Sequence, residues 1–160
     1  MLTKNFYEYM RAAFQKTSGT FVKTDGTTKS VSLVDDRPPF KYMNTFTVFG
    51  TGTTAATASD YNLESRLTST QISIATPSEV SFSQGDTYHE YSVSFGVTNI
   101  TSETITISEV GLLAAPYYAS GSTTVYTLVD RTVLDTPVTI PAGQSKQITY
   151  TIRFNYGDAV

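Results

Sequence analysis

The sequence predicts an all-β domain: an antiparallel β-sandwich, jelly-roll or immunoglobulin-like, carrying one short N-terminal α-helix. Three observations lead there. The strand formers Thr, Val, Ile, Tyr and Phe are abundant, with 11 tyrosines and 9 phenylalanines, and tryptophan is absent. Apolar and polar residues alternate over Tyr91 to Asn99 and again over Ile148 to Tyr156. Turn signals, among them Asp25-Gly26, Gly85-Asp86 and Pro141-Ala142-Gly143, divide the chain into seven or more short stretches.

The helix comes first. Leu2, Phe6, Met10 and Ala13 recur at helical spacing, with Tyr9 and Phe14 beside them. Thr3 or Asn5 is placed to cap its start, and Thr17-Ser18-Gly19 to end it. About twelve residues of helix are marginal alone, so this segment must dock on the sandwich or on another subunit. Leu2, Phe6, Tyr9, Met10 and Phe14 are therefore candidate partner-binding residues. The expected division is a helical arm over residues 1–18 and a single β domain over 19–160.

Thr20 to Thr24 and Lys29 to Val34 form a hairpin around Asp25-Gly26. Asp35-Asp36-Arg37-Pro38-Pro39 is a polar break, since neither proline fits a central ladder. Tyr42 to Phe49 reads as a strand. Residues 50 to 67 read as an ordered connection that crosses between sheets, with Ser59-Asp60 capping one helical turn. Ser69 to Thr76 alternates, Pro77 stops it, and Val80 and Phe82 allow a short edge segment.

Tyr88 to Asn99 and Thr104 to Leu113 form the central pair. Ile105 and Ile107 differ in parity from Val110 and Leu112, so either a bulge near Ser108-Glu109 or the end of the strand intervenes. Tyr117 and Tyr118 sit in a loop, Thr123 to Leu134 forms a strand of mixed phase, and Val138 to Ile140 forms another short one. Ile148, Tyr150, Ile152, Phe154 and Tyr156 then share one face of the clearest strand.

The chemistry is sparse. No cysteine is present, which removes disulfides and thiolate catalysis. The formal charge is -3 and Lys and Arg are scattered, against a nucleic-acid footprint. No stretch is long and apolar enough to span a bilayer, and the N-terminus does not read as a secretory signal. His89, the single histidine, has Glu90 as its neighbour in sequence, but adjacent strand residues face opposite ways. Glu79, Glu90, Glu103, Glu109 and Asp130 show no spacing diagnostic of paired catalytic acids. Gly50-Thr51-Gly52 lacks the lysine and spacing of a phosphate loop. No catalytic residue, cofactor or metal is expected.

Two charges stand out. Glu109 interrupts one apolar run and Arg131 another, and a structural salt bridge between them would answer the cost of burying both. Tyr117 and Tyr118, with Tyr126 near them, are candidates for binding a partner protein or a sugar.

Phe49-Gly50-Thr51-Gly52-Thr53-Thr54 with Ser59-Asp60-Tyr61-Asn62-Leu63 resembles a segment of small structural proteins of tailed bacteriophages. Ile107-Ser108-Glu109-Val110-Gly111-Leu112 is similar to a second such segment. Leu128 to Leu134, running into Pro137 to Gly143 and Ile148 to Ile152, is similar to a third. The resemblance spans roughly residues 45 to 156. It implies a β-sandwich module of the virion, in the tail, baseplate, connector, fibre or capsid decoration, made in the host cytoplasm. Its partners would be other virion proteins and copies of itself. A module recognising a host surface glycan is the alternative.

Overall fold

The computed structural model describes residues 1–15, 17–32, 43–117 and 125–155. It is an all-β chain with one three-turn helix, α1 (Lys4–Gln15), and a single helical turn, α2 (Met43–Phe46). The strands are β1 (Ser18–Val22), β2 (Thr28–Ser32), β3 (Thr47–Gly50), β4 (Ile72–Ile74), β5 (Ser81–Gln84), β6 (Tyr88–Asn99), β7 (Ile105–Tyr117), β8 (Val125–Ile140) and β9 (Ser145–Asn155). All pair antiparallel.

β1 and β2 form a hairpin whose turn places Gly26 at a φ of 82°, a conformation that glycine adopts without a Cβ penalty. Asp25 holds that turn by accepting from the Thr27 amide and hydroxyl. A second sheet runs β3-β7-β8. In the third, β6 is central: β4 and β5 share one edge of it, and β9 runs along the other.

The second and third sheets contribute to one apolar cluster. Phe49, Ile107, Leu112 and Val129 meet Val93, Phe95, Val97, Tyr150 and Ile152 there, all buried. Phe49 and Phe95 touch edge to face at 5.4 Å.

The parity slip in β7 has a definite cause. Its register against β8 breaks between Ile107 and Glu109. Ser108 is absorbed there, opposite the four residues 134–137 of β8. The break lets Ile105, Ile107, Val110 and Leu112 all reach the same cluster despite their unequal spacing. It also turns Glu109 to the other face.

Pro137 falls in this irregular stretch, where its missing N–H breaks no regular ladder. The two short strands expected over 123–134 and 138–140 are consequently one strand, β8.

The N-terminus is woven into the β3-β7-β8 sheet. Thr3 N–H donates to the Val129 carbonyl at 3.0 Å, and Arg131 N–H to the Met1 carbonyl at 3.0 Å, so residues 1–3 extend the outer edge of β8. Thr3 and Asn5 do not cap α1 with their side chains. The Thr3 hydroxyl donates to the Leu128 carbonyl, and the Asn5 amide group exchanges two 2.9 Å bonds with the Val22 backbone. Asn5 thus acts as a strand residue would, tying α1 to β1.

Three other expectations change. Residues 43–46 turn as α2 and only 47–50 form a strand. Gly19 lies inside β1, so the helix is ended earlier, with Thr17 N–H donating to the Ala12 carbonyl. Ser59-Asp60 caps no helix: residues 51–71 contain turns and no helical segment. They do connect β3 of one sheet to β4 of another.

Candidate functional site

The buried charges lie where β7, β8 and the 50–67 connection meet. Glu109 is completely buried, and Arg131 is 3% exposed. Arg131 Nε donates to Glu109 Oε2 at 2.8 Å. Its other nitrogens donate to Asp60 Oδ2 at 2.7 Å and to the Thr54 carbonyl at 3.1 Å. Glu64 Oε2 stands 3.6 Å from the same guanidinium.

Glu109 also accepts three backbone amides: Gly52 and Ser65 at Oε1, 3.1 and 2.8 Å away, and Glu64 at Oε2, 3.1 Å away. Arg131 and these N–H groups together compensate the buried carboxylate.

This explains the glycines of Gly50-Thr51-Gly52. A Cβ on Gly52 would stand 2.7 Å from Glu109 Oε1 and 2.5 Å from Glu64 Cβ; one on Gly50 would stand 2.7 Å from the Ser65 carbonyl oxygen. Gly111 clears room for Leu63 in the same way, since a Cβ there would lie 2.8 Å from Leu63 Cδ2. The stretches set apart in the sequence at 49–54, 59–63, 107–112 and 128–134 are therefore parts of one tertiary unit.

The electrostatics follow from this packing. Burial would raise the Asp60 carboxyl, but the Thr57 amide, the Arg131 guanidinium and the Thr57 hydroxyl outweigh it and hold it below the usual range. The Thr54 amide and hydroxyl lower Glu64. Burial tends to strip the proton from Arg131, yet Asp60 and Glu109 more than offset this and raise it further. The guanidinium is a permanent structural cation.

An open cleft of about 500 Å³ borders the unit, lined by Asp25, Asp60, Tyr61, Asn62, Glu64 and the edge of Arg131 among others. Among the described residues, no group of three or more His, Cys, Asp or Glu is arranged to hold a metal ion.

The remaining candidates are dispersed. Asp130 accepts from the Tyr150 hydroxyl at 2.5 Å inside the core, Glu90 pairs with Arg153 at 2.6 Å, and Glu79 and Glu103 are exposed. His89 lies 5.5 Å from the Phe82 ring. Among the described residues, Asp130 and Glu90 are each taken up by a separate side-chain partner.

The helix face expected to meet a partner meets the chain itself. Phe6 is buried in the main cluster, with Leu2 and Met10 packed against it, and Tyr9 is buried with Phe21 and Val31. The apolar surface of the two sheets and the hairpin draws that face inward. Phe14 is 78% exposed, as is much of Tyr7, which the helical pattern did not single out. Tyr126 is partly exposed and packs on Phe46 at 5.9 Å. The side chain of Tyr117, and all of Tyr118, lie outside the described residues.

Two contributors escaped the sequence reading. Asp60 has the sequence setting of a helix cap, and the amides of Gly52, Glu64 and Ser65 carry no side-chain signal. The paired glycines close before a carboxylate-bearing segment were the available clue.

No protein family, curated protein or solved structure matches the chain.

Proposed function

We propose that this chain is a non-enzymatic β-sandwich component of a tailed-bacteriophage virion, attached through protein–protein contacts at the tail, the head–tail connector or the capsid periphery. The observation that carries the reading is the convergence of four of the phage-like stretches, 49–54, 59–63, 107–112 and 128–134, on the Glu109–Arg131 unit. Their shared feature is a way of locking a long connection onto two strands, which suits a rigid building block. The use of Glu109, Arg131, Asp60 and Asp130 in internal contacts supports the same view. Cryo-electron microscopy of purified particles, with mass spectrometry of their proteins, tests it. Density for the chain at defined copy number is expected, and its absence from the particles sinks the proposal.

The open cleft favours one second reading, recognition of a surface glycan. Tyr61 is 45% exposed beside Asp60 and Asn62, an aromatic face among hydrogen-bonding groups. Reproducible glycan-array binding that is lost in Tyr61→Ala would move the assignment from scaffold to receptor recognition. No binding across the array removes this second reading.

A further inference from the structure

Among the described residues, most sheet edges are covered or short. Residues 1–3 bond to β8 around Val129 to Arg131. The 65–67 segment bonds to β3 through Leu67 N–H to the Phe49 carbonyl and Thr51 N–H to the Ser65 carbonyl. β4 and β5 have three and four residues and are separated by a stretch containing Pro77.

β9 differs. It has eleven residues, and its register with β6 is unbroken along its entire length. No described backbone group bonds to its far side. A long, regular edge without proline or bulge is a template for another strand.

Its pairing identifies the free groups. Asn99 N–H donates to the Gln144 carbonyl, next to the Thr98–Ser145 pair. The bonded pairs therefore continue through the even-numbered residues of β9, which turn their backbone toward β6. Gln147, Thr149, Thr151 and Arg153 turn theirs outward, and their side chains are exposed.

We propose that β9 is a self-association edge. A second copy of this chain adds its own β9 antiparallel about a two-fold axis through Tyr150, making one eight-stranded sheet from two four-stranded ones. Only this centre overlaps all eleven residues of both strands. It brings Thr149 opposite Thr151 of the second copy, and Gln147 opposite its Arg153.

On the inner face Ile148 meets Ile152 of the second copy. Lys146 falls opposite Phe154, so no like charges meet. The outer face then repeats hydroxyl pairs that the chain already makes, such as Ser92–Thr151 and Ser94–Thr149, both 2.9 Å. A self-complementary patch of this kind produces a closed two-fold dimer. The inference goes beyond the virion reading and does not depend on it.

The test uses the full chain. Sedimentation equilibrium is expected to give a monomer–dimer equilibrium. Thr151→Pro removes an outward N–H and leaves the bonds to β6 intact, so it is expected to give a folded monomer. If circular dichroism shows that this variant is unfolded, Thr149→Arg with Thr151→Arg replaces it, setting like charges opposite each other.

The chain lacks cysteine, so register is read by mixing Gln147→Cys with Arg153→Cys. Disulfide-linked dimer is expected in the mixture well above either variant alone, because facing residues in a bonded antiparallel pair lie about 5.5 Å apart at Cα. A wild-type chain that stays monomeric, assembly of another order, or a dimer that survives the folded variants overturns the proposal. So does cross-linking no stronger in the mixture than in each variant alone.

Discussion

Asp130 and Arg131 are adjacent in β8, both almost fully buried, and they serve opposite sides of the strand. Asp130 accepts the Tyr150 hydroxyl on the side of the shared core. Arg131 reaches the other way to Glu109 and Asp60. One dipeptide therefore connects β9 to β8 and the 50–67 connection to β7 and β8.

Breaking either half of the Glu109–Arg131 pair leaves the other charge buried with only part of its compensation, Arg131 keeping Asp60 and Glu109 keeping its three backbone amides. Glu109→Gln and Arg131→Met are each expected to lower stability by about 3–5 kcal/mol in urea unfolding. Replacing both with apolar residues should not restore it. The amides of Gly52, Glu64 and Ser65 would still lose their acceptor, at about 1–3 kcal/mol for each that stays buried. A doubly apolar variant as stable as wild type would contradict this.

Gly50 and Gly52 are constrained by contact, whereas Gly143 sits at a φ of 68° with open space around it. Gly52→Ala is expected to cost about 1–3 kcal/mol through overpacking against Glu109 and Glu64. Gly143→Ala should cost about 1–2 kcal/mol from backbone strain alone. The two mechanisms separate in Glu109→Ala, where the Gly52→Ala penalty should shrink and the Gly143→Ala penalty should not.

Acid should weaken the fold. Glu8 is held down to about 2, mainly by its hydrogen bonds to Arg11, and Asp60 and Glu64 are also lowered. Depressed folded-state values mean that the unfolded chain binds more protons, so stability is present above the ordinary carboxylate range and falls as pH drops through it. Urea midpoints should be level near neutrality and decline from about pH 5 toward pH 2. Midpoints unchanged across that interval would refute the linkage.

Burial, reinforced by Asp130, raises the Tyr150 phenol well above its ordinary value. The folded chain then keeps a proton that the unfolded chain loses, so stability should decline as pH rises past about 10. Ultraviolet difference titration should show one tyrosine ionising only as the fold is lost, and Tyr150→Phe should remove that step.

Thr127 Oγ1 is buried with no hydrogen-bond partner among the described residues. Thr127→Val supplies a methyl of similar size where the hydroxyl is unsatisfied, so unfolding should become harder by about 1 kcal/mol. A loss of stability would reveal a role for that oxygen.

Much of this was legible in residue order. Strands β6 and β9 follow directly from alternation, and the β1–β2 turn follows from Asp25-Gly26. Glu109 and Arg131 were visible because a charge within an apolar run needs a partner. Other features depend on distant contacts.

Residues 123–134 and 138–140 read as two strands until the register shift that absorbs residues 134–137 within β8 is known. Thr3 and Asn5 have the chemistry of helix caps, and tertiary strand pairing claimed their side chains instead. The inward face of α1 also suited a partner, because an amphipathic pattern specifies a buried face without specifying what buries it.

The pairing of Gly50 with Glu109 and of Thr3 with Val129 also dictates when the chain can fold. During synthesis β3 has no β7 to pair with until some sixty further residues have been made, and residues 1–3 wait longer for β8. The nascent chain must carry unpaired strands through that interval. Such non-local topology predicts slow, late and cooperative folding, with early chain segments exposed to misassembly until β8 arrives.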